Sequence, residues 1–431
     1  MKKITYIIIV FCVFVSNAQN QIPGEKQNES TLFQNAKIVT VTGEIIEKGH
    51  LGISQGIIDY IGTSAPEKQY TNKINLNGKH IYPGFIALNS TLGLVEVDAV
   101  RASDDESEIG IFNPNIRSII AYNAESKIVE TMRMNGVLLA QVTPRGGVVS
   151  GSSSVVQLDA WNWEDATVKY DQGIHINWPS PYTYGRWWLD EDRGLKVNNN
   201  YSSQVKGLKD FFEKSKANMN VNKSMNIKSK AMKSIINGES TVYLYADDEK
   251  EIVDGVTFLK KFGIAKIVIV GASESRNQLD FIKANNIPVI VKQPYRFPQS
   301  IDSDPDDTFL LAKHMLDKGI LVSIDPSGAP QSRVSIRNLP FYAGSFSSYG
   351  IDKETALSLI TLNPAKILEI DNEFGSIEIG KSATLFISKG DALDIVSNNV
   401  SHAFISGRNI SLETHQTRLW RRYSNKYSNS Q

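Results

Sequence analysis

The sequence contains very little cysteine and no excess of charge of either sign. Its 431 residues include one cysteine, Cys12, and 46 lysines and arginines balance 46 aspartates and glutamates. If Cys12 is removed with an N-terminal leader, then disulfides, thiolate metal sites and a cysteine nucleophile are all excluded. The balanced charge predicts no broad basic surface for nucleic acid or an anionic membrane. We therefore expect neither of these as a partner of the mature chain.

Long apolar runs are missing after the first 20 residues. The chain begins with MKK, continues with an apolar run over residues 4–15, and then has Ser16-Asn17-Ala18 before Gln19. This order is typical of a secretory signal peptide, and the run is too short to span a bilayer stably. We expect a signal peptide over residues 1–18, with cleavage near Ala18, and a periplasmic or secreted product.

Both ends of the remaining chain have a sequence pattern that is typical of small β-sheets. The polar residues 19–31 predict a disordered lead-in. Short β-branched runs separated by turn residues occupy residues 32–82 and again 366–415. These runs predict a small β-sandwich domain that is assembled from both chain ends, followed by a C-terminal tail over residues 416–431.

The centre of the chain alternates between apolar runs and amphipathic stretches. Runs rich in valine and isoleucine lie at residues 136–144, 240–246, 265–272, 287–291 and 319–325. Helical patterns lie at residues 124–136, 248–263, 274–286 and 306–319. This alternation indicates parallel β/α units, and residues 83–365 are long enough for a (β/α)8 TIM barrel. An open doubly wound sheet is the alternative, but no G-x-G-x-x-G follows any of these strands.

Residues 145–230 interrupt this alternation. They begin with a Gly/Ser-rich stretch after Arg145, continue through an aromatic segment that includes Trp187 and Trp188, and end in a lysine-rich amphipathic stretch. We interpret them as an insertion that starts with a hairpin or loop over the barrel mouth and covers a site, or as an arm that contacts a partner. The glycines and Arg145 could cradle an anion, but a plain hairpin turn is the favoured interpretation.

Two motifs resemble those of a known family, and they follow each other along the chain in the same order as in that family. They are GKHIYPGFIALNSTLGL (residues 78–94) and LNPAKILEIDNEFGSIEIGKSATLFI (residues 362–387). Over residues 32–415 the chain resembles the imidazolonepropionase-like branch of the amidohydrolase superfamily. The resemblance implies a barrel with a metal, commonly Zn²⁺, at the C-terminal ends of its strands. Such a metal lowers the pKa of a bound water, whose proton passes to an aspartate after the last strand.

The resemblance also implies that this chain has lost its metal ligands. The paired histidines of the first barrel strand correspond to Asn89 and Thr91, and two later histidines correspond to Tyr245 and Gly271. The last-strand aspartate is retained as Asp325, the candidate catalytic residue. None of the six histidines has H-x-H or H-x-x-x-H spacing, so we expect no histidine-held metal.

An acidic loop after the first barrel strand offers other candidate ligands. Glu96 and Asp98 are two residues apart, so on an extended backbone both side chains project to one side. With Asn89 and Asp325 they could form an oxygen-rich pocket for Mg²⁺ or Ca²⁺. The alternative is a solvated loop that Arg101 neutralises. For a small-molecule ligand, the predicted binding set is Asn89, Thr91, Glu96, Asp98, Arg101 and Tyr245.

The sequence leaves two main functions open. The first is a hydrolase that acts on carbon–nitrogen bonds other than peptide bonds, through a degenerate site around Asp325. The second is a catalytically inactive pseudoenzyme that binds a small molecule or pairs with an active amidohydrolase paralogue, and a homo-oligomer is a related option. A sugar- or peptide-binding module that uses the aromatic segment is a third, weaker interpretation.

Overall fold

The computed structural model describes residues 22–185, 194–219, 226–298, 303–327 and 332–428. The predicted signal peptide, Trp187 and Trp188 lie outside these residues. Within them the predicted class, an α/β barrel with a small β domain from both chain ends, is confirmed. No helix in the described ranges combines the length and the apolar composition needed to cross a bilayer.

The β domain is one sheet of eight strands. Its strands are β1 (Thr31–Ile38), β2 (Ile46–Ser54), β3 (Ile57–Gly62), β4 (Asn72–Asn75), β5 (His80–Pro83), β16 (Leu385–Ser388), β17 (Val400–Ile405) and β18 (Arg408–Ile410). Their order is β18-β17-β16-β5-β1-β2-β3, and β4 pairs with β1. The two chain ends meet where β5 runs antiparallel to β16. A sandwich of two sheets was predicted, whereas the strands form one hydrogen-bonded sheet around its own apolar core.

The lead-in that was predicted to be disordered is hydrogen-bonded to the fold from Gly24 onward. The Gly24 amide donates to Asp159 Oδ2 at 2.8 Å. The Gln27 side chain accepts from the Gly56 amide at 2.8 Å and donates to the Ile53 carbonyl. These bonds satisfy backbone groups of the adjoining sheet, and this gain offsets the entropy that favours disorder in so polar a segment.

The barrel also contains eight strands. They are β6 (Phe85–Ser90), β7 (Val137–Val142), β8 (Val149–Gln157), β9 (Thr167–Asn177), β12 (Thr241–Ala246), β13 (Ile267–Gly271), β14 (Val289–Lys292) and β15 (Val322–Asp325), in the order β6-β7-β8-β9-β12-β13-β14-β15. A two-stranded hairpin, β10 (Tyr182–Tyr184) with β11 (Leu195–Val197), lies outside it. The apolar runs predicted as parallel strands all fall on barrel strands, since they carry the Val/Ile content that a strand buried on both faces needs.

The helices lie between and after the barrel strands. They are α1 (Lys127–Met132), α2 (Trp163–Ala166), α3 (Tyr201–Met219), α4 (Ile227–Ile236), α5 (Glu249–Lys261), α6 (Leu279–Ala284), α7 (Asp307–Asp317), α8 (Ser332–Ser335), α9 (Leu339–Ser348), α10 (Lys353–Ser358), α11 (Leu362–Leu368) and α12 (His415–Ser428). Helix α5 begins where it does because Asp248 and Glu251 form a capping box, which satisfies backbone amides at the start of the helix.

One barrel strand runs against the others. Strand β8 is antiparallel to both β7 and β9, so a hairpin replaces one of the predicted β/α units. Only six residues separate β7 from β8, with positive φ at Gly146 and Gly147, and a parallel crossover needs a dozen or more. The prediction that residues 145–230 are an insertion is therefore wrong for β8 and β9, which are part of the barrel wall.

The lysine-rich stretch packs on the barrel rather than extending as an arm. Helix α3 buries Leu208 and Phe212 completely. The Phe212 ring contacts Phe258 of α5 edge-on at 5.3 Å between centroids. The lysines of α3 lie on the outer face, where Lys206 and Asp210 form an exposed i,i+4 pair. The helix therefore completes the outer layer.

The segment that carries Asn363-Pro364 closes the barrel between its first and last strands. The Ile86 amide of β6 donates to the Ile360 carbonyl at 2.9 Å. On the other side, Ser323 Oγ of β15 donates to the Leu359 carbonyl, and Asn363 Nδ2 donates to the Val322 carbonyl, each at 2.7 Å. This segment therefore supplies the backbone and side-chain groups that connect β6 to β15.

Candidate active site at the barrel mouth

The candidate site is built from the C-terminal ends of the barrel strands. Side chains alternate along a strand, so residues two apart share a face. Tyr243 and Tyr245 of β12 both face the barrel interior, and the Tyr243 ring stacks on His175 of β9 at 4.6 Å between centroids. Asn89 is the last residue but one of β6, and its φ of 51° is tolerated best by asparagine among residues with a side chain. This turn aims the Asn89 amide across the mouth.

Asn89 is the centre of the polar network at the mouth. Its Nδ2 donates to Asp325 Oδ2 at 2.7 Å, and its Oδ1 accepts from Arg145 Nη1 at 2.7 Å and from the Tyr245 hydroxyl. Its backbone amide donates to Gln141 Oε1 at 3.0 Å, and its carbonyl accepts from Arg145 Nη2 at 2.7 Å. Every polar group of Asn89 therefore has a partner within the protein.

Arg145 brings the positive charge of the mouth. It follows β7 and reaches back over the strand ends, where Nη1 also donates to the Tyr245 hydroxyl at 3.1 Å. Its own amide donates to the Glu106 carbonyl at 2.6 Å, which ties the acidic loop to the mouth. The Arg145 charge opposes the effect of burial on the pKa of Asp325 and on that of half-buried Glu106. The guanidinium thus neutralises carboxylates that are removed from water.

A closed ring of hydrogen bonds continues from Asn89 through the barrel interior. Gln141 Nε2 donates to Ser153 Oγ at 3.0 Å, His175 Nε2 lies 2.8 Å from Ser153 Oγ, and His175 Nδ1 lies 3.0 Å from the Tyr245 hydroxyl. One proton order satisfies every member: Ser153 donates to His175 Nε2, and the Nδ1 hydrogen goes to Tyr245, which donates to Asn89. Burial and the Arg145 charge hold the pKa of His175 well below its usual range, so the imidazole of His175 is neutral.

Asp325 is buried at the end of β15 with both oxygens engaged. Oδ1 accepts from the Ser327 amide at 2.7 Å, and Oδ2 accepts from Asn89. Burial raises the pKa of Asp325 above its ordinary value, while Ser327, Arg145 and Asn89 act in the opposite direction. The carboxylate is therefore a stronger base than an exposed aspartate, but its lone pairs are already directed at protein donors.

The raised pKa of Asp325 predicts how the free energy of unfolding of the wild type differs from that of Asp325→Asn as the pH changes. A raised folded-state pKa contributes stability that is fully present below the unfolded value of 3.8 and is lost as the pH rises through the folded-state pKa. The stability of the wild type relative to Asp325→Asn should therefore fall between acidic and neutral pH and then level off. Urea unfolding of both proteins across that range measures the difference, and a difference that rises with pH would contradict the assignment.

A second charged pair occupies the other side of the mouth. Lys292 ends β14 and is in register with Asp325, so the two side chains project from the same face of the sheet. Its ammonium forms an ion pair with Asp247, which follows β12 and also accepts from Ser273 Oγ at 2.6 Å. The Lys292 and Asp247 side chains are 28% and 30% exposed, so this side of the mouth is accessible to solvent.

The residues at the mouth do not fit a catalytic metal. No group of three or more His, Cys, Asp or Glu side chains that could hold a metal exists in the ranges that the structure describes. The Asn89 and Asp325 oxygens already accept hydrogen bonds, and a metal bound to Asn89 Oδ1 would lie beside the Arg145 guanidinium. Two like charges so close repel each other strongly in a buried site. The donor set therefore does not match that of a histidine- or carboxylate-held ion.

The structure brings together only part of the predicted binding set. Asn89, Tyr245 and Asp325 meet, and Thr91 is buried in the turn that follows β6. The predicted oxygen-rich pocket for Mg²⁺ or Ca²⁺ is not assembled. Glu96 accepts from Asn123 Nδ2 at 3.1 Å, Asp98 pairs with buried Arg333, and Arg101 donates to the Asp104 carbonyl. Glu96 and Asp98 are thus bonded to other residues and not to Asn89 or Asp325.

Sequence reasoning missed several residues at this site. Arg145 was considered only as part of a glycine-rich anion cradle, and His175 only as one of six histidines that lack metal-binding spacing. Lys292 and Asp247 each lie two residues beyond an interior position, after Ile290 and Tyr245 respectively. Each residue comes directly after a predicted apolar run, 240–246 or 287–291. If the alternation of side chains is continued by one residue beyond each run, both residues are predicted to face the barrel interior.

Comparison with known proteins agrees with this architecture. Residues 212–410 match the model of the amidohydrolase family. Imidazolonepropionase from Picrophilus torridus is 28% identical over 169 residues, which are 38% of this chain and 41% of that protein. The chain therefore matches about two fifths of the length of this curated relative.

Solved structures share the fold over most of the chain. An amidohydrolase from Thermotoga maritima MSB8 superposes with a TM-score of 0.77 at 22% identity, covering 88% of this chain and 99% of that one. An adenosine deaminase from Xanthomonas campestris with bound zinc has a TM-score of 0.52 at 12% identity, covering 93% and 98%. These identities show the fold alone. The family-model match over residues 212–410 and the curated relative support the assignment of this chain to the amidohydrolase superfamily, whose fold it shares.

Proposed function

We propose that the barrel mouth of this amidohydrolase-superfamily protein binds a small polar molecule through fixed charges and does not catalyse metal-dependent hydrolysis. The observation that carries the proposal is the Asn89 amide. It donates to Asp325 and accepts from Arg145, so it joins a carboxylate and a guanidinium at the position where the family resemblance implies the first metal-binding histidine. A protein-borne cation thus takes over charge neutralisation.

The groups that could act in acid–base catalysis are already committed to internal bonds. Each His175 ring nitrogen has a hydroxyl partner, and neither is exposed. The Asp325 oxygens accept from Asn89 and Ser327. A general base must hydrogen-bond the group that it deprotonates, so either residue would first have to give up a buried partner. That exchange is costly in a buried site, which favours binding over catalysis.

The accessible part of the mouth indicates how a ligand would be held. Lys292, which is in register with buried Asp325, and Asp247 present opposite charges, and each side chain is about a third exposed. Arg145 has remaining N–H donors beyond its bonds to Asn89 and Tyr245. A small molecule that carries both hydrogen-bond donors and acceptors fits this arrangement better than an apolar one.

A second candidate function is hydrolysis of a carbon–nitrogen bond without a metal. The raised pKa of Asp325 favours it, because a buried carboxylate is a stronger base near neutral pH than an exposed one. The amidohydrolase family match supports the same reaction class. In this case Asp325 would have to exchange its Asn89 partner for a water molecule when substrate enters.

Metal loading and hydrolysis assays separate these functions. Purified protein is stripped with a chelator, offered Zn²⁺, Mn²⁺ or Mg²⁺, desalted, and analysed for bound metal by mass spectrometry. We expect much less than one ion per chain, and no hydrolysis of amides, lactams or cyclic ureas with or without metal. One tightly bound ion per chain, lost in Asp325→Asn, would overturn the proposal. Metal-free hydrolysis that disappears in Asp325→Asn would establish the second candidate instead.

A further inference from the structure

A separate cavity lies beside the barrel mouth, between the loops that follow β13 and β14. Its volume is about 250 Å³, and it opens to solvent. Charged side chains of both signs line it, together with Thr308, Leu311 and His314 of α7. A space of this size suits a ligand of about ten heavy atoms rather than a drug-sized molecule.

Two opposite charges face this cavity without a direct ion pair, although Glu274 and Arg296 lie close enough to attract each other. Neither the Glu274 carboxylate nor the Arg296 guanidinium forms an ion pair or side-chain hydrogen bond with any residue in the described ranges. Arg296 Nε is buried and makes no hydrogen bond there. The other charged residues of the lining are satisfied, since Arg276 donates to Asp307 and Glu249 accepts from Asn277.

The two free charges are held on backbone that is fixed by hydrogen bonds. Ala272 has a φ of 54°, and its amide donates to the Ala246 carbonyl at 2.8 Å. The Glu274 amide donates to the Asp247 carbonyl at 2.8 Å, so the loop after β13 is clamped to the end of β12. Buried Thr308 donates through Oγ1 to the Pro294 carbonyl at 2.9 Å, which holds the turn that leads to Arg296. The charges are therefore presented by a preformed frame.

The cost of burying these two charges is only partly offset: Glu274 and Arg296 attract each other and Asp247 attracts Arg296, but neither group makes a direct charged contact. Burial raises the pKa of Glu274 and lowers that of Arg296, which are the directions in which each group would lose its charge. A ligand that supplied the opposite charge to each would restore charge-assisted hydrogen bonds in a partly dry site. Such a ligand must carry an anionic and a cationic group a few bonds apart.

We propose that this cavity binds a zwitterionic molecule of the size of an α-amino acid, with its carboxylate on Arg296 and its ammonium on Glu274. Thr308 and Ser273 add hydroxyl groups to the wall, and Leu311 gives an apolar surface for a side chain. The cavity adjoins the barrel mouth, since Ser273 of its wall donates to Asp247, but its two charged residues lie on the loops after β13 and β14 rather than among the interior side chains. The proposal does not depend on the function proposed for the mouth.

Isothermal titration calorimetry of the full chain tests the proposal. The probes are the free L-α-amino acids, each compared with its N-acetyl derivative, which lacks the ammonium, and its amide, which lacks the carboxylate. We expect at least one free amino acid to bind, and both derivatives to bind at least about tenfold more weakly, since each loses a charge-assisted contact. Failure of every free amino acid to bind at millimolar concentration, or equal binding of the derivatives, would refute the proposal.

Matched variants assign the binding to this cavity. Glu274→Gln is nearly isosteric and should weaken binding about tenfold or more, and Arg296→Gln should do the same if circular dichroism shows it folded. Lys318→Gln, at the opposite end of α7 in an ion pair with Asp280, should bind like the wild type. Tyr245→Phe alters the mouth and should also leave this binding unchanged. Binding that is lost in Tyr245→Phe but retained in Glu274→Gln would place the ligand in the mouth and overturn the inference.

Discussion

Replacing Asn89 with alanine is expected to lower the free energy of unfolding by about 2–4 kcal/mol, since buried charged groups that lose a hydrogen-bond partner are costly to the fold. The substitution deletes the donor to Asp325 and the acceptor of Arg145 and Tyr245 together. The Asp325 charge then remains buried with a single donor, and solvation cannot replace the lost one. Urea unfolding at neutral pH measures the change.

A matched control separates the network from backbone strain. Asn77 has nearly the same left-handed φ, 52°, but is exposed, and its side chain takes no part in a buried network. Asn77→Ala therefore reports the cost of the conformation alone, which should be about 1–2 kcal/mol. If Asn89→Ala costs no more than Asn77→Ala, then the hydrogen bonds at the mouth do not stabilise the fold as the geometry indicates.

The second large effect is a loss of stability in mild acid that depends on His175. Its folded-state pKa lies well below the ordinary value of 6.5, so the unfolded chain takes up a proton that the folded chain does not. This contribution to stability is present above pH 6.5 and is lost as the pH falls. Between pH 7 and pH 5 it should cost about 2 kcal/mol, and His175→Gln should remove that part of the slope.

The slope, rather than the absolute stability, is the quantity to compare. His175→Gln will change stability at every pH, because it alters the ring through Ser153 and Tyr245. His80 and His402 also have lowered pKa values through burial, and their share remains in both proteins. Equal slopes for wild type and variant between pH 7 and pH 5 would show that His175 takes up a proton in the folded state.

The fold could be predicted largely because its signals are local and periodic. The run at residues 240–246 becomes β12, and the stretch at 306–319 contains α7, since apolar content and amphipathic period follow from near neighbours in sequence. The reversed strand β8 could not be recognised in this way. Its Gly/Ser-rich sequence resembles a loop, and only its pairing with β7 and β9 makes it part of the wall.

The candidate site was predicted in position but not in composition. Asn89 and Asp325 were placed at the mouth through a family resemblance, and the structure joins them by a hydrogen bond. Arg145 contacts Asn89, and Lys292 contacts Asp247. The partners in each pair are distant in sequence, so no local sequence pattern predicts these contacts. Side-chain direction at a strand end depends on the exact last residue of the strand, which is the least certain feature of a sequence-based reading.

The pairing of β5 with β16 has a consequence for how the chain reaches its native state. Tyr82 and Ala392, which share a hydrogen bond across this junction, are 310 residues apart in sequence. The β domain cannot be completed until almost the whole chain has been synthesised, and closing so long a loop is slow. Until then β5 presents an open edge that other strands can pair with. A chain truncated before β16 should therefore aggregate rather than accumulate as an isolated barrel.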